Sequence, residues 1–510
     1  MRPRAAVPRP LSGLAALLGV AHAVDPAGWA HGTVTGMTHD SRAVSKGDLY
    51  AALPGNRVHG ADFAAEAVDA GAVAVLTDPA GRGRMGQVAV PVFVVDDPRG
   101  RLGEAAAWVY GQPTRDMLVI GVTGTSGKTT TAHLVDSGLR AAGHRTGLLG
   151  TVEIKIGDDV LPSGLTTPEA TDLQGVLAVM RDEGVTAVAM EVSSHALALH
   201  RVRGTAYDVA VFTNLSQDHL DFHADLDDYF AAKARLFTPA YAQVAVVNVD
   251  NGYGRILAER RQVPTTTYSA AGRDGADWRA LDVRLGVDGS AFRLVGPGGV
   301  EADASVQVPG RFNVDNALAA VVALVEGGVS LPAAVLGVGA LPGVPGRMER
   351  VEAGQDFAAL VDYSHKPAAV EAVLRSLRPL VEGRLIVVLG CGGDRDRGKR
   401  PMMGAAAARL ADTAVFTTDN PRSEDPMAIL SAMYAGAADV PSERRGHVVV
   451  EPDRAAAIAL AVSRASRGDL VVVAGKGHER GQEIRGVVYP FDDRMMLREA
   501  VRAACVGGST

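Results

Sequence analysis

Cysteine, aromatic residues and net positive charge are all scarce in this 510-residue sequence. Its two cysteines, Cys391 and Cys505, form neither a metal-binding spacing nor a disulfide framework, which is typical of a reducing cytosol. The formal net charge of −7 argues against a general affinity for nucleic acid, because binding to the phosphate backbone needs a basic surface. No apolar run is long enough to span a bilayer, so we expect neither a nucleic-acid partner nor a membrane.

What the sequence does contain is the composition of a folded protein, 47% hydrophobic and 21% charged. Because aromatic residues make up 5%, the cores must be built mainly from Ala, Val and Leu. The chain is too long for one core, and a domain size of roughly 100–200 residues predicts three domains. We place them at residues 1–112, 113–345 and 346–510.

Apolar strand patterns separated by helical stretches predict the α/β class in all three segments. The first segment, a small α/β unit, has candidate strands at residues 73–76 and 90–95. The second has them at 117–122, 187–190, 209–213 and 244–247, which predicts a parallel sheet with helices on both faces. The third has them at 358–361, 385–389, 414–417 and 470–473. Polar turns follow these strands, and ligands bind at the carboxyl ends of strands in open α/β sheets.

The strongest local signal is a glycine-rich loop between a predicted strand and a predicted helix over residues 129–142. It comprises Gly124, Thr125, Ser126, Gly127, Lys128, Thr129 and Thr130. Its backbone N–H groups and the helix N-terminus would cradle phosphates, with Lys128 on the β- and γ-phosphates and Thr129 on Mg²⁺. The full G-x-x-x-x-G-K-[ST] pattern fails because Val122 replaces its first glycine. The flanking strand and helix disfavour an ordinary turn that happens to contain lysine.

Four further features are ambiguous when each is taken alone. Glu191 follows a strand and is either a magnesium ligand or a polar strand end. Residues 214–223 are rich in His, Asn and Asp, which suits a metal site, a phosphate site or a solvated loop. Lys233 has the spacing of a helix-surface lysine. Asn313, just before an Ala-rich helix over 314–324, is either a helix cap or a contact to a base edge.

In their order along the chain, these segments resemble the Mur ligases, the ATP-dependent amide ligases that build the peptide of bacterial cell-wall precursors. The resemblance runs from about Thr38 to Asp493 and covers residues 40–42, 47–48, 124–130, 166–168, 191–195, 214–223, 233, 310–313, 346–350, 362–365, 390–400, 419–422 and 475–479. It implies a UDP-sugar-binding α/β domain, a central P-loop ATPase domain with a parallel sheet and a C-terminal Rossmann-like domain that binds the amino acid.

The resemblance also implies roles for individual residues. Contacts to ATP, besides those of the loop, fall to Asn313, Arg347 and Asp362. Contacts to the UDP-sugar substrate fall to Ser41, Asn56, Arg57, Val58, Thr166, Thr167, Ser193 and Arg201. The catalytic residues it implies are Lys128, Lys233, His219 and Glu191.

Two Mg²⁺ ions are implied, with ligands from Thr129, Glu191, His219 and Lys233. The family carbamylates the matching lysine with CO₂. This makes physical sense because an ammonium cannot approach Mg²⁺, whereas a carbamate is an anionic oxygen ligand. For Lys233 the resemblance therefore overrides the simpler interpretation as a surface lysine.

The turn Asp419-Asn420-Pro421-Arg422 resembles the signature of family members that add diaminopimelate. Diaminopimelate differs from lysine by a distal carboxylate, which the fork of Arg422 can grip in bidentate fashion. Lysine would leave that guanidinium unpaired, and a site built for a hydrogen-bonded group rejects a ligand without it. An ordinary turn is the alternative, since Asn-Pro favours one. The other implied contacts are Arg395, Gly475 and Glu479, of which Glu479 faces an ammonium.

Three positions depart from the family pattern. Leu199 stands where some members have a polar side chain that contacts the substrate, and leucine cannot make that contact. Ser364 and Lys366 replace the Ala and Thr that often follow the tyrosine of this segment. Because Asp362, His365 and Pro367 are retained, we expect a variant of the segment and not its loss.

The implied reaction activates the D-Glu γ-carboxylate of UDP-N-acetylmuramoyl-L-alanyl-D-glutamate as an acyl phosphate, which the amine of meso-2,6-diaminopimelate then attacks. ADP and phosphate are the other products. Rival hypotheses are a lysine-adding relative, a ligase like folylpolyglutamate synthase, and a P-loop ATPase without ligation. The uridine-binding segment and the Asp-Asn-Pro-Arg turn argue against the second, and the Arg395 and Arg422 sites argue against the third.

The first 23 residues imitate a secretory signal, with early arginines and an apolar run over residues 11–20. The alternative is a mature helix with one apolar face formed by Leu11, Leu14, Leu17 and Leu18. We favour the helix, because Pro8 and Pro10 crowd the apolar run and the rest of the chain requires ATP. We therefore expect a cytoplasmic protein, and we expect it to be a monomer.

Overall fold

The structure is a computed structural model that describes residues 1–3, 6–20, 31–55 and 57–507. It contains two compact units. The first comprises Met1–Ala280, Leu294–Ala302 and Asn316–Val338, and the second comprises Leu281–Arg293, Asp303–Asp315 and Gly339–Thr510. Over the part of the chain that is described, no helix has both the length and the apolar character needed to cross a membrane. The domain boundaries at 112/113 and 345/346 stay predictions.

The N-terminal part of the first unit is built on a parallel sheet in the order β3-β4-β5-β6. Apolar side chains of its strands and helices form two buried clusters. The elements of this part are β1 (Arg9–Pro10), α1 (Leu11–Leu18), β2 (Thr33–Val34), β3 (Gly36–Thr38), β4 (Asp48–Ala51), α2 (Ala64–Asp69), β5 (Ala74–Thr77), α3 (Pro79–Arg84), β6 (Val92–Val94) and α4 (Pro98–Val109).

The central part of the first unit is a larger sheet in which β8-β11-β7-β12-β13-β14 run parallel and β9 and β10 extend one edge antiparallel. Its elements are β7 (Leu118–Thr123), α5 (Lys128–Ala141), β8 (Thr146–Leu149), β9 (Glu153–Ile156), β10 (Asp159–Pro162), α6 (Ala170–Asp182), β11 (Ala187–Glu191), α7 (Ser194–Ala198), β12 (Tyr207–Phe212), α8 (Leu226–Ala234), β13 (Ala242–Asn248), α9 (Gly252–Arg260) and β14 (Thr265–Ser269).

Three strands and two helices follow before the last part of the chain: β15 (Trp278–Gly286), β16 (Gly289–Val295), β17 (Glu301–Val306), α10 (Arg311–Glu326) and α11 (Leu331–Ala340). Helix α10 begins three residues earlier than the sequence predicts. Asn313 therefore lies inside its first turn, where the side-chain Nδ2 donates to the Pro309 carbonyl at 2.7 Å. The interpretation of Asn313 as a helix cap is wrong, because the backbone is already helical there.

The second unit carries a sheet in the order β18-β19-β23-β20-β21-β22, parallel except for β18. Its remaining residues form α12–α16 and the antiparallel pair β24 and β25. The bounds are β18 (Glu349–Arg350), β19 (Ala358–Asp362), α12 (Pro367–Leu377), β20 (Leu385–Leu389), α13 (Lys399–Leu410), β21 (Thr413–Phe416), α14 (Pro426–Ala438), β22 (His447–Val450), α15 (Arg454–Ser463), β23 (Leu470–Ala474), β24 (Gly481–Ile484), β25 (Val487–Pro490) and α16 (Asp493–Gly507).

Asp-Pro pairs set the start of three of these helices, α3, α4 and α14. In each, the aspartate side chain caps the helix by accepting a hydrogen bond from a backbone N–H of the first turn. The proline follows at the first helical position, where its missing N–H costs nothing. The sequence thus contains explicit start signals for helices that the hydrophobic pattern alone leaves vague.

The predicted α/β class with parallel sheets is confirmed. The predicted helix at the N-terminus forms as α1, with Leu11, Leu14 and Leu18 buried and Leu17 partly exposed. Residues 21–23 of the signal-like stretch lie outside the described residues. The predicted phosphate loop joins β7 to α5, and strands β11 and β12 flank β7 on either side. Chemistry-bearing turns therefore meet at one edge of the central sheet.

Candidate active site

The loop between β7 and α5 has a backbone that only glycine adopts readily at two positions. Gly124 has φ +149° and Gly127 has φ +88°. A Cβ on Gly124 would overlap Thr213 Oγ1, and one on Gly127 would overlap Asn316 Oδ1. Asn214, after β12, holds the loop from below, since its carbonyl accepts from Thr125 N–H at 2.9 Å and its Oδ1 from Ser126 N–H at 3.0 Å. The loop is therefore pre-shaped before any phosphate binds.

Two lysines lie against this loop. Lys128 Nζ donates to the Gly124 and Thr125 carbonyls, both at 2.9 Å. Lys233 Nζ, on α8, donates to the Gly124 carbonyl at 2.8 Å although its side chain is only 1% exposed. Lys233 is therefore not the surface lysine that its spacing suggests.

Glu191 lies at the end of β11 beside the loop and is 1% exposed. Its Oε2 accepts from Thr129 Oγ1 at 3.0 Å and from Thr151 Oγ1 at 3.2 Å, and its Oε1 accepts from Thr151 N–H at 2.7 Å. A buried carboxylate next to the threonine hydroxyl at the start of α5 is a pair of hard oxygen donors, which fits Mg²⁺.

Tyr229 connects the other two predicted metal ligands to the loop. Its hydroxyl hydrogen-bonds Thr125 Oγ1 at 3.2 Å, and burial raises its pKa. The His219 ring lies 6.0 Å from the Tyr229 ring, and Lys233 Nζ lies 4.7 Å from the same ring. Within the described residues no group of three or more His, Cys, Asp and Glu side chains could hold a metal ion.

The predicted contacts to the muramoyl-dipeptide cluster next to Glu191. Thr167 Oγ1 donates to the Glu191 carbonyl at 2.9 Å and accepts from Ser193 N–H at 3.1 Å. Arg201 Nη1 donates to the Thr167 carbonyl at 3.3 Å, and Thr166 Oγ1 lies 3.0 Å from Thr151 Oγ1. Leu199, the position that departs from the family pattern, directly follows α7 in the same region, and its side chain offers no polar group.

The predicted uridine contacts lie at the N-terminal sheet. Ser41 begins a short 3-10 turn after Asp40, and Tyr50 of β4 is buried. The Tyr50 hydroxyl donates to the Gly60 carbonyl at 2.9 Å, just past the second predicted turn. Arg57 and Val58 of that turn are exposed, and Asn56 lies outside the described residues.

In the second unit, Asp362 ends β19 and is almost fully buried. Its Oδ2 accepts from Met348 N–H at 2.9 Å, and its Oδ1 accepts from Ser364 N–H at 2.8 Å and from Ser364 Oγ at 2.5 Å. The Arg347 guanidinium lies 4.5 Å from the centre of the Tyr363 ring. Ser364 therefore supplies an extra hydrogen bond to Asp362, which explains how this departure from the family pattern is accommodated.

The predicted amino-acid site lies where β20, β21 and β23 end. Asn420 Nδ2 donates to Glu479 Oε2 at 2.9 Å, and a Cβ on Gly475 would lie 2.7 Å from Asp419 Oδ2. Gly393 N–H donates to the Asn420 carbonyl at 2.9 Å, and Pro421 packs on Gly393 so closely that a Cβ there would overlap its carbonyl. These residues are brought together as the sequence predicts.

Arg422 is held in a defined place at this site. Its backbone has φ +52°, its Nη1 donates to the Gly393 carbonyl at 2.7 Å, and its Nε lies 3.2 Å from Glu483 Oε2. A Cβ on Gly392 would lie 3.0 Å from Arg422 Nη1 and 3.9 Å from Arg395 Cγ. Both arginines therefore flank the same glycine turn, with Arg395 exposed to solvent.

Sequence reasoning missed several residues that these contacts bring into the site: Thr151, Tyr229, Lys476 and Glu483. Thr151 stands alone in an unremarkable segment, whereas Tyr229 opens the helical segment that contains Lys233 but was given no role of its own. Lys476 lies between two glycines inside the matched Gly475–Glu479 segment and could have been found there. Glu483 lies outside the matched segments, and only the folded structure shows that it contacts Arg422 and Asn420.

Comparison with known proteins agrees with this geometry. Three family models match: the Mur ligase family catalytic domain over residues 33–110, the Mur ligase middle domain over 122–324 and the Mur ligase glutamate ligase domain over 346–477. The chain is 62% identical over 469 residues to the UDP-N-acetylmuramoyl-L-alanyl-D-glutamate--2,6-diaminopimelate ligase of Streptomyces avermitilis, and 92% of each chain is covered.

Among solved structures, one that carries the same enzyme name matches with a TM-score of 0.73 and 34% identity, covering 98% of this chain and 99% of that one. A folylpolyglutamate synthase of Mycobacterium tuberculosis, complexed with ADP and AMPPCP, matches with a TM-score of 0.59 and 22% identity. It covers 75% of this chain and 93% of that one. At that identity the likeness concerns the fold alone.

The chain therefore belongs to the Mur ligase family of ATP-dependent ligases of peptidoglycan synthesis. Relatives named 2,6-diaminopimelate ligase are 62% identical to this chain in Streptomyces avermitilis and 44% identical in Geobacillus kaustophilus, and a UDP-N-acetylmuramyl-tripeptide synthetase of Leifsonia xyli is also 44% identical. The resemblance drawn from the sequence, the fold class and the use of ATP are confirmed. The roles of the individual site residues stay predictions.

Proposed function

We propose that this chain joins meso-2,6-diaminopimelate to the D-Glu γ-carboxylate of UDP-N-acetylmuramoyl-L-alanyl-D-glutamate, with ATP converted to ADP and phosphate. The observation that carries the proposal is Arg422, whose guanidinium is anchored between Gly393 and Glu483 beside Asn420 and Glu479. A guanidinium suits the distal carboxylate of diaminopimelate, and Glu479 suits an ammonium. Lysine would satisfy only the second.

Activation comes first in this proposal. An oxygen of the substrate carboxylate attacks the γ-phosphorus of ATP, ADP leaves, and an acyl phosphate forms. Lys128 moves from the loop carbonyls to the β- and γ-phosphates, and the loop N–H groups hold the phosphate oxygens. Thr129 and Glu191 would hold Mg²⁺, which supplies neutralisation of the charge on the transferring phosphoryl group. In the second step the amine attacks the acyl carbon, a C–N bond forms, and phosphate leaves with the loss of one proton.

For Lys233 we propose carbamylation and a share in the second magnesium site with His219. The nitrogen of a carbamate keeps one N–H, so it can still donate to the Gly124 carbonyl, which it contacts at 2.8 Å. The added carboxylate supplies the anionic oxygens that an ammonium lacks. The neighbouring Tyr229 ring excludes water from the lysine.

We further propose that Thr166, Thr167, Ser193 and Arg201 hold the muramoyl-dipeptide, that Ser41 and the 56–58 turn hold the uridine end, and that Asn313, Arg347 and Asp362 contact ATP. We propose that the protein works in the cytoplasm, where its substrate ATP is found. We also propose that it works as a monomer. Analytical ultracentrifugation that gave a mass near twice 52.8 kDa would contradict the monomer.

Substrate-dependent phosphate release tests the main proposal. We expect phosphate and ADP only when UDP-N-acetylmuramoyl-L-alanyl-D-glutamate and meso-diaminopimelate are both present, with little product when L-lysine replaces diaminopimelate. Release that needs neither substrate would indicate a simple ATPase. Equal use of both amino acids would favour the lysine-adding alternative, and use of a folate in place of the UDP-sugar would favour a folylpolyglutamate synthase.

The variant Arg422→Met tests the carboxylate contact. A hydrogen bond to a charged group contributes about 1.5–3 kcal/mol, so we expect the KM for diaminopimelate to rise about 10- to 100-fold while lysine use changes little. Arg444→Met, at an exposed arginine of the same unit, is the matched control. A KM for diaminopimelate that stayed at the wild-type value would rule out this role of Arg422.

A further inference from the structure

Lys476 is a charged residue that neither the sequence pattern nor the proposed function assigns. It follows β23 by two positions and stands between Gly475 and Gly477. Its side chain is 0% exposed, which is rare for lysine, because burying an ammonium without compensation is very costly. Such a residue needs partners that offset the cost, and those partners indicate its role.

The partners of the Lys476 ammonium are two residues proposed to contact the amino acid. Its Nζ donates to Asn420 Oδ1 at 2.9 Å and to Glu479 Oε2 at 3.0 Å. Asn420 Nδ2 donates in turn to the same Glu479 oxygen at 2.9 Å. The three side chains therefore close a triangle, with the lysine at its buried corner.

This triangle fixes the orientation of the Asn420 amide. Its Oδ1 accepts from Lys476 Nζ and from the Glu483 backbone N–H at 3.0 Å, so its Nδ2 must face Glu479. An amide turned by 180° would point its NH₂ group at an ammonium and at an N–H, leaving two donors face to face. The lysine thus decides which end of Asn420 meets the carboxylate.

The same triangle orients the Glu479 carboxylate. Its Oε2 accepts from both Lys476 and Asn420, which fixes the rotation of the group. Glu479 is partly exposed, with 34% of its side chain accessible, so the carboxylate reaches the open side of the site while its charge is balanced from beneath.

The glycines on either side allow the lysine to take this position. Gly475 has φ +116° and Gly477 has φ +53°, a backbone that L side chains rarely adopt. A Cβ on Gly477 would lie 2.7 Å from the Gly346 carbonyl and 2.7 Å from Tyr363 Cβ. The backbone of Gly475 and Gly477 therefore directs the Lys476 side chain into the interior, where it contacts Asn420 and Glu479.

We infer that Lys476 is the positioning residue of the amino-acid site: it does not touch the incoming amino acid, but it sets the amide of Asn420 and the carboxylate of Glu479 that do. The inference rests on the proposed function, because it takes the ligand to be a diamino acid bound by those two groups. Without Lys476, Glu479 loses its balancing cation and Asn420 loses the contact that fixes its amide. The diamino acid would then bind to a site in which the Asn420 amide and the Glu479 carboxylate are no longer held in one orientation.

The test compares Lys476→Met with Arg384→Met in full-length protein. Arg384 is a matched control because it also pairs with an acid of the second unit, Asp469, with contacts of 2.7 and 3.2 Å to its Oδ2, but it lies just before β20, at the opposite ends of the strands. We expect Lys476→Met to raise the KM for meso-diaminopimelate about tenfold or more, with the KM values for ATP and for the UDP-sugar within twofold of wild type. Arg384→Met should leave all three KM values within twofold.

A merely structural role would lower the amount of folded enzyme and kcat and leave the three KM values alike, so the split among them is the decisive readout. A KM for diaminopimelate within twofold of wild type in a folded Lys476→Met enzyme would overturn the inference. If Lys476→Met does not fold, Lys476→Gln, whose neutral side chain still has an N–H donor group, is measured against the same thresholds. Wild-type turnover of diaminopimelate tests the proposed function separately, since it does not depend on either variant.

Discussion

Lys128 and Lys233 donate to the same acceptor, the carbonyl oxygen of Gly124, at 2.9 and 2.8 Å. One comes from the start of α5 and the other from α8, more than 100 residues later in the chain. In the unmodified chain two ammonium groups therefore converge on one loop carbonyl, and the proposed carbamate on Lys233 would replace one of them with an anion. The shared contact also gives each lysine a separate test.

Lys128→Met should abolish most ligation, because the side chain that neutralises the β- and γ-phosphates is lost. Removing one charge-stabilising group from a phosphoryl or acyl transfer site typically lowers kcat about 10²- to 10³-fold. The measurement is ADP formation coupled to product formation. Lys46→Met, at an exposed lysine of the N-terminal part, should retain wild-type rates. Unchanged product formation in Lys128→Met would refute the role of the loop.

Lys233 should carry a carbamate in the active protein. Protein equilibrated with ¹³C-labelled bicarbonate should show a carbamate carbon resonance that is missing from Lys233→Met. We expect activity to fall when CO₂ is removed and to return when bicarbonate is added, because the anionic oxygens are then restored. Full activity in CO₂-depleted buffer, or a spectrum without the resonance, would exclude carbamylation.

Glu191→Gln should weaken the binding of Mg²⁺ while leaving the fold nearly unchanged. The amide keeps the shape of the group that accepts from Thr129 and Thr151 but removes its charge. We expect the Mg²⁺ concentration for half-maximal rate to rise about 10- to 100-fold. Glu326→Gln, whose Oε1 accepts from Thr266 Oγ1 at 2.8 Å, is the control and should not shift the titration. Equal magnesium dependence in both variants would speak against Glu191 as a ligand.

Stability should depend on pH through His365. Burial is the main cause that lowers the pKa of His365 to about 4 in the folded state, against about 6.5 in an unfolded chain. Between these values the unfolded state binds the proton and the folded state does not, so the free energy of unfolding rises with pH across that window and falls on acidification. Above pH 6.5 both states are neutral and the effect vanishes.

His365→Gln should therefore show a weaker loss of stability than wild type as pH falls from about 6.5 to about 4, measured by denaturant unfolding at each pH. His447→Gln, at an exposed histidine of the same unit, should track wild type. If the difference in the free energy of unfolding between wild type and His365→Gln stays constant over this pH range, burial does not keep His365 neutral in the folded state.

The sequence predicts the buried parallel strands well, because each is a short run of Val, Ile, Leu and Ala between turns. Strand β20 has the predicted bounds, and β11 and β23 differ from them by one residue. Strands β9 and β10 were missed, since β9 is only partly buried, β10 is mostly exposed and the antiparallel pairing of β9 depends on β8. The early start of α10 was missed because Gly310 and Arg311 read as loop.

Site residues follow the same division. The loop of Gly124–Thr130 is predictable because phosphate binding demands a local sequence, and Arg422 is predictable because its turn is contiguous. Thr151 reaches its partner Glu191 from a segment distant in sequence, whereas Tyr229 and Glu483 lie four residues from Lys233 and Glu479. In each case only the hydrogen bonds reveal the contact. Lys233 shows most clearly what local spacing cannot predict. Its helical spacing indicates a solvent-exposed side chain, whereas in the folded protein that side chain is buried.

The geometry at Gly124 has a practical consequence for inhibitors. Any other residue there would combine an unfavourable φ with a collision against Thr213, so substitution of Gly124 itself is disfavoured. A compound that binds mainly to the backbone of this turn, and makes few contacts with the side chains around it, would lose little affinity through side-chain substitutions.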